Sequence, residues 1–201
     1  MEGDRPVTHA TRAETGDLAG ALSRAFADDP VQQWLFDGAD DVDRALTDFF
    51  GFFTEEYFGL GHVYVERGSA ALGGALWAPP DRNVLQGNRI DDLLALVQSF
   101  IGDQTIPRLT ELGRAGDHRL REPHFYLGIL GVVPEGQGTG LGARLVEPVL
   151  ELCDRAGLPA HLESSNPRNL GFYERLGFDV VDDYRCGPGG PVMTIMTRLP
   201  A

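Results

Sequence analysis

The chain has 201 residues, 30 acidic against 17 basic and a formal charge of −13, so it lacks the basic stripe that a nucleic-acid partner requires. Two cysteines, Cys153 and Cys186, make no disulfide scaffold, and neither stands in metal-ligand spacing with the five histidines, so no metal site is expected. No apolar run reaches membrane-spanning length and the first residues lack the apolar block of a leader, which points to a soluble, cytoplasmic protein with no membrane partner.

Residues 7–12 read as a first strand, and Thr15, Gly16 and Asp17 cap an apolar helix through Leu18, Leu22 and Phe26 that Pro30 ends. Between positions 28 and 43 stand six aspartates and no arginine. Such a run is ordinarily a solvated face, and beside a pocket it attracts a cationic substrate. Residues 42–58 form a second helix whose Leu46, Phe49, Phe50 and Phe53 mark a buried face. Residues 62–66 and 70–77 read as paired strands about a turn at 67–69, with Pro79 and Pro80 as a stop.

From 81 to 122 the pattern is helical again, with Leu93, Leu94, Leu96 and Val97 in one segment and Ile106, Leu109 and Leu112 in another. This is an insertion whose helices can cover a substrate site. The strand at 125–133 is almost wholly apolar, as expected for one buried on both faces. Pro134 breaks it before the glycine-dense turn Gln137, Gly138, Thr139, Gly140, Leu141, Gly142.

Leu141, Leu145, Val149, Leu152 and Ala156 keep helical spacing, interrupted by Pro148, and Gly157 is suited to the C-cap. Residues 160–164 form a short strand whose alternation puts His161 and Glu163 on one face. Asn169 is placed to cap a short helix carrying Tyr173. Two final strands, 178–185 and 192–198, flank a Gly/Pro turn.

The turn has almost no side chains to screen its amides, so a pyrophosphate can lie against backbone N–H groups at the start of the following helix. Gly138, Gly140 and Ala143 also fit the dinucleotide fingerprint, with Glu163 20 residues after Ala143. That fingerprint belongs after a first strand with further βα units behind it, whereas this turn comes two thirds of the way along the chain. A phosphate loop of the Gly-Lys-Ser/Thr kind does not occur.

Leu130-Gly-Val-Val-Pro134, the turn from Gln137 to Ala143, Asn166 seven residues before Tyr173, and Phe172-Tyr-Glu-Arg-Leu-Gly-Phe178 stand in an order and spacing that resemble the GCN5-related N-acetyltransferases (GNAT). The resemblance implies an α/β (α+β) fold: a single GNAT-like domain over 1–201, with a mixed central sheet, splayed central strands, flanking helices and the helical insertion 81–122 before the fourth strand. It implies acetyl-CoA (CoA) held by Leu130, Gly131, Val132, Gln137, Gly138, Thr139, Gly140, Leu141, Gly142, Ala143, Asn166 and Asn169.

By the same resemblance Tyr173 is the general acid for the departing thiolate. For the general base Glu163 is the first candidate, with His161 second and a water relay as the alternative. Asp28, Asp29, Trp34 and Phe36 are candidates for binding the acceptor, a primary amine on a small molecule such as an aminonucleoside-like or other amino antibiotic. The other readings are acetylation of a protein N-terminus or lysine, and a non-catalytic acyl-CoA sensor. Either a monomer or a homodimer is compatible.

Overall fold

The computed structural model describes residues 6–66 and 71–201. Its strands are β1 (Val7–His9), β2 (His62–Glu66), β3 (Gly73–Ala78), β4 (Phe125–Val132), β5 (Ala160–Ser164), β6 (Asp179–Arg185) and β7 (Val192–Arg198). They form one sheet in the order β1-β2-β3-β4-β5-β7-β6. Only β4 and β5 pair in parallel, so the sheet is mixed. The helices are α1 (Thr15–Ala25), α2 (Pro30–Leu35), α3 (Val42–Phe58), α4 (Arg89–Ile101), α5 (Thr105–Arg114), α6 (Leu141–Ala156) and α7 (Leu170–Arg175).

Helices pack on both faces of the sheet and each closes its own core. On one face the apolar stripe of α6, Leu141, Leu145, Val149 and Cys153, meets Trp77, Leu127 and Leu162. On the other, Leu18 and Leu22 of α1 and Leu46, Phe49 and Phe50 of α3 meet Val63 and Leu76. Burial of these side chains drives the layering, at about 1.5–3 kcal/mol for each large apolar group. Helix α6 runs on through Pro148 and ends at Gly157 in the left-handed conformation, φ 64°, which glycine adopts without steric cost.

Two features of β4 open the centre of the sheet. Leu76 pairs with Ile129 and Trp77 with Leu127, which leaves Gly128 as an extra, bulged residue that turns the strand. Pairing of β4 with β5 runs from Phe125 opposite Ala160 to Leu127 opposite Leu162. Beyond that pair the two strands part.

Several local expectations are corrected. The first strand stops at His9, because Thr11 and Glu14 form a turn in which the Thr11 N–H donates to Glu14 Oε2 at 2.7 Å. Pro30 does not end α1 but opens α2. Proline costs nothing at a position whose N–H is unsatisfied anyway, and Asp29 caps that helix by accepting from the N–H groups of Val31 and Gln32 at 3.0 and 3.2 Å. Strand β4 is not buried on both faces: Tyr126, Gly128 and Leu130 are half-buried and line a cavity. The turn expected at 67–69 lies outside the described residues.

Candidate functional site

Where β4 and β5 diverge, a cavity of about 1080 Å³ runs from the sheet to the helices between β3 and β4. Its apolar walls come from Phe49, Phe53 and Tyr57 of α3, Leu93 and Leu94 of α4, and Leu109 and Leu112 of α5. Arginines tie α4 and α5 in place. Arg89 donates from Nε to Glu56 Oε1 at 2.6 Å and stacks 4.6 Å from the Phe52 ring centre. Arg108 donates from Nη1 to the carbonyls of Leu35 and Asp37 at 2.9 and 2.8 Å.

Polar groups converge on the floor. The Glu163 side chain is only 3% exposed and pairs with Arg119, whose Nε donates to Oε1 at 2.7 Å. The Tyr126 hydroxyl donates to Glu163 Oε2, and the Arg119 guanidinium stacks 3.8 Å from the Tyr126 ring centre. Burial of Tyr126, reinforced by the neighbouring Glu163 charge, pushes its pKa well above the ordinary phenol value. Tyr126 thus keeps its proton and acts as a donor.

At the other end of the cavity Asp29, Ser165, Asn169 and Tyr173 share one wall. The Ser165 hydroxyl donates to Asp29 Oδ2, which links the α1–α2 connection to the end of β5. Desolvation raises the Asp29 pKa against these lowering hydrogen bonds. Burial, with the Asp29 charge nearby, likewise raises Tyr173 above the usual phenol range.

The glycine turn lies exposed at the start of α6. Gly138 and Gly140 have φ of 74° and 82°, a conformation L side chains rarely adopt. An added Cβ at Gly138 would meet nothing within 4 Å, and at Gly140 only Arg144 Nη1 at 3.7 Å. Backbone conformation therefore requires these glycines, and it leaves the amides at the helix N-terminus uncovered for an anion. Gln137 is held by its Nε2, which donates to the Val132 carbonyl at 3.0 Å.

The sequence candidates divide by position. Leu130, Glu163, Asn169, Tyr173 and Asp29 line the cavity, whereas Asp28 is exposed and outside its lining. Trp34 and Phe36 are also corrected. Phe36 is 1% exposed and packs against Phe49 and Phe100, while Trp34 has Arg108 of α5 6.0 Å from its ring centre, and neither lines the cavity. Phe36 thus joins Val31 and Leu35, the buried residues of α2, in the packing of that helix.

Asn169 does not cap α7 with its side chain. A preceding 3-10 turn, Pro167–Asn169, moves that task to Asn166, whose Oδ1 accepts from the Arg168 N–H at 3.1 Å. Second-choice His161 is fully buried, with Nδ1 3.0 Å from Thr197 Oγ1, and desolvation pushes its pKa down to about 4. His161 is also absent from the cavity lining, so it is not placed to meet the amine there. Arg119, Tyr126, Tyr57 and Ser165 were missed; their one signal was the alternation that aims Glu163 off its strand.

A profile of the Acetyltransferase (GNAT) family matches residues 27–178. An uncharacterized N-acetyltransferase of Schizosaccharomyces pombe is 30% identical over 190 residues, covering 84% of this chain and 73% of that protein. Among solved structures, the histone acetyltransferase HPA2 and related acetyltransferase of Corynebacterium glutamicum superposes with a TM-score of 0.68 at 22% identity, over 98% of this chain and 97% of the other. Arylalkylamine N-acetyltransferase 2 of Aedes aegypti gives 0.67 at 14% identity over 99% and 100%. At these identities the two structures speak to the fold alone.

Proposed function

The chain belongs to the GNAT family of acetyltransferases, and we propose that it moves an acetyl group from acetyl-CoA to a primary amine on a small molecule with an apolar body. The observation that carries this reading is the cavity: helices α4 and α5 line it opposite the diverging strands, which favours a compact acceptor over an extended peptide. The segment 81–122 is then the acceptor cover. The name of the Aedes aegypti enzyme, an arylalkylamine N-acetyltransferase, fits an amine of this kind.

The motif set also resembles puromycin N-acetyltransferase, in Glu122-Pro123, Gly140-Leu-Gly142 and Phe172-Tyr-Glu-Arg-Leu-Gly-Phe178. An aminonucleoside-like or other amino antibiotic is the acceptor this resemblance favours, with resistance or self-protection as the role. Acidic Asp29 and Glu163 at the cavity wall favour a cationic amine. Both cysteines are free and buried, which suits the reducing cytoplasm, and no helix among the described residues is long and apolar enough to cross a membrane.

The residues present fit the CoA group. The turn from Gln137 to Ala143 would hold its pyrophosphate, with the Gln137 N–H kept by the Pro134 carbonyl and the amides at the start of α6 left to the anion, and the edge of β4 not paired with β5 at Leu130, Gly131 and Val132 would hold the pantetheine arm, with Asn166 and Asn169 beside it. When bound, the group supplies an acetyl thioester. Tyr126, already donating to Glu163, would receive the amine proton at its oxygen while passing its own to the Glu163 carboxylate. Tyr173, its pKa raised, would hold its proton as a hydrogen-bond donor to the departing sulfur, since outright transfer to a thiolate whose thiol has a pKa near 8.5 runs uphill.

The test is thiol release from acetyl-CoA against puromycin-like amines, arylalkylamines, polyamines and N-terminal peptides. Turnover of the compact amines is expected. Turnover of peptides alone would assign the protein N-terminal or lysine reaction instead, and acetyl-CoA binding with every amine refused would assign a sensor.

A further inference from the structure

One tyrosine hydroxyl lining the cavity has no use in this scheme. Tyr57 of α3 is 3% exposed and lines the cavity with Gly128 and Tyr173, yet among the described residues no hydrogen bond to its hydroxyl occurs. A Cβ at position 128 would stand 1.7 Å from that oxygen, so only a glycine there lets the phenol reach β4. Gly128 is also the bulged residue, one step beyond the last β4–β5 pair at Leu127 and Leu162. The hydroxyl therefore sits on the strand where its backbone edge comes free.

A phenol O–H that opens onto the cavity and donates to no protein group is free to donate to an acceptor that a ligand brings there. Burial holds its proton on, well above the usual phenol range, so what it offers is a donor. The amine does not need a donor there, having the Tyr126–Glu163 pair to take its proton. The atom that does is a carbonyl oxygen lying along the free edge of β4.

We propose that Tyr57 is a catalytic residue whose hydroxyl donates a hydrogen bond to the acyl oxygen of the bound acetyl donor. This rests on the acetyl-transfer reading above. As the amine nitrogen bonds to the acyl carbon, the carbonyl electron pair moves onto that oxygen. The pair then returns as the carbon–sulfur bond breaks and the thiolate leaves, the amine proton having gone to Tyr126 and Glu163. A donor aimed at the oxygen favours the charged stage over the resting one.

Tyr57→Phe keeps the ring and removes only the hydroxyl. With carbonyl-labelled acetyl-CoA bound and no amine present, the infrared carbonyl stretch should move to higher frequency in Tyr57→Phe than in the unmodified protein, because a donor lost from oxygen stiffens the bond. In turnover, kcat should fall roughly 100-fold with the amine KM unchanged, and the melting temperature should not fall. Gly128→Ala, which drives its Cβ into the hydroxyl, should give the same carbonyl shift. An unmoved carbonyl stretch, or a raised amine KM at constant kcat, overturns the proposal. Failure of the unmodified protein to bind acetyl-CoA would instead sink the acetyl-transfer reading beneath it.

Discussion

Arg119, at the end of the α4–α5 segment, donates from Nε to Glu163 on β5 at 2.7 Å across 44 residues of chain. This bond joins the cover of the cavity to its floor, and with Tyr126 it occupies both oxygens of Glu163. The carboxylate is thus a fixed acceptor, which in the proposed reaction would reach the amine through Tyr126.

Glu163→Gln preserves the shape but removes the proton acceptor. We expect kcat to fall roughly 100-fold with acetyl-CoA affinity unchanged, read by steady-state kinetics and calorimetric titration. Undiminished kcat would show that the amine proton leaves by another route.

Tyr173→Phe should lower kcat by a similar factor, roughly 100-fold, without weakening acetyl-CoA binding. Because Tyr173 has its pKa raised by burial and by Asp29, no loss of rate from its ionisation should appear on the alkaline limb up to pH 10. A limb near 9–10 that vanishes in the phenylalanine variant would contradict this.

Gly140, at φ 82°, should not tolerate a side chain. Gly140→Ala is expected to cost about 1–2 kcal/mol in unfolding free energy and to weaken acetyl-CoA binding by displacing the amides at the start of α6. Denaturant melts and titration measure the two effects separately, and unaltered affinity would remove the turn from the binding site.

Phe36 and Trp34 serve packing. Phe36→Ala should destabilise the fold by about 3–5 kcal/mol while Trp34→Ala leaves the amine KM unaltered. A large rise in KM for Trp34→Ala would return that residue to the acceptor site.

His161 supplies a pH signature. Its folded pKa, about 4, lies below the unfolded value near 6.5, so between these pH values the unfolded chain binds the extra proton. Stability should be full above pH 6.5 and fall as pH drops toward 4, by on the order of 3 kcal/mol from this group. His161→Gln should flatten that slope in chemical denaturation followed from pH 7 to 4.5; an identical slope would show that other groups set it.

Some of this architecture is local and was legible in the chain itself. Helix α3 (Val42–Phe58), strands β2 and β5, helix α6 with its glycines, and the final strand β7 follow from periodicity, caps and turn conformations acting within a few residues. The family resemblance arose from the same stretches, since an anion loop needs its glycines at set spacing. Other features depended on partners distant in sequence. Pro30 reads as a stop until Asp29 is seen capping α2, and Phe36 reads as a pocket wall until α3 and α4 close around it.

The candidate site divides in the same way. The turn from Gln137 to Ala143 was legible because its glycine spacing leaves backbone amides open to an anion, and Tyr173 and Glu163 were named through the family resemblance. The roles assigned to Arg119, Tyr126 and Tyr57 came only from the tertiary structure, which brings together an insertion, a strand and a helix that no periodicity relates. A hydrogen bond or a missing Cβ acts over a few ångströms of space, and the fold alone decides which residues, 44 apart along the chain in one case, lie within that reach.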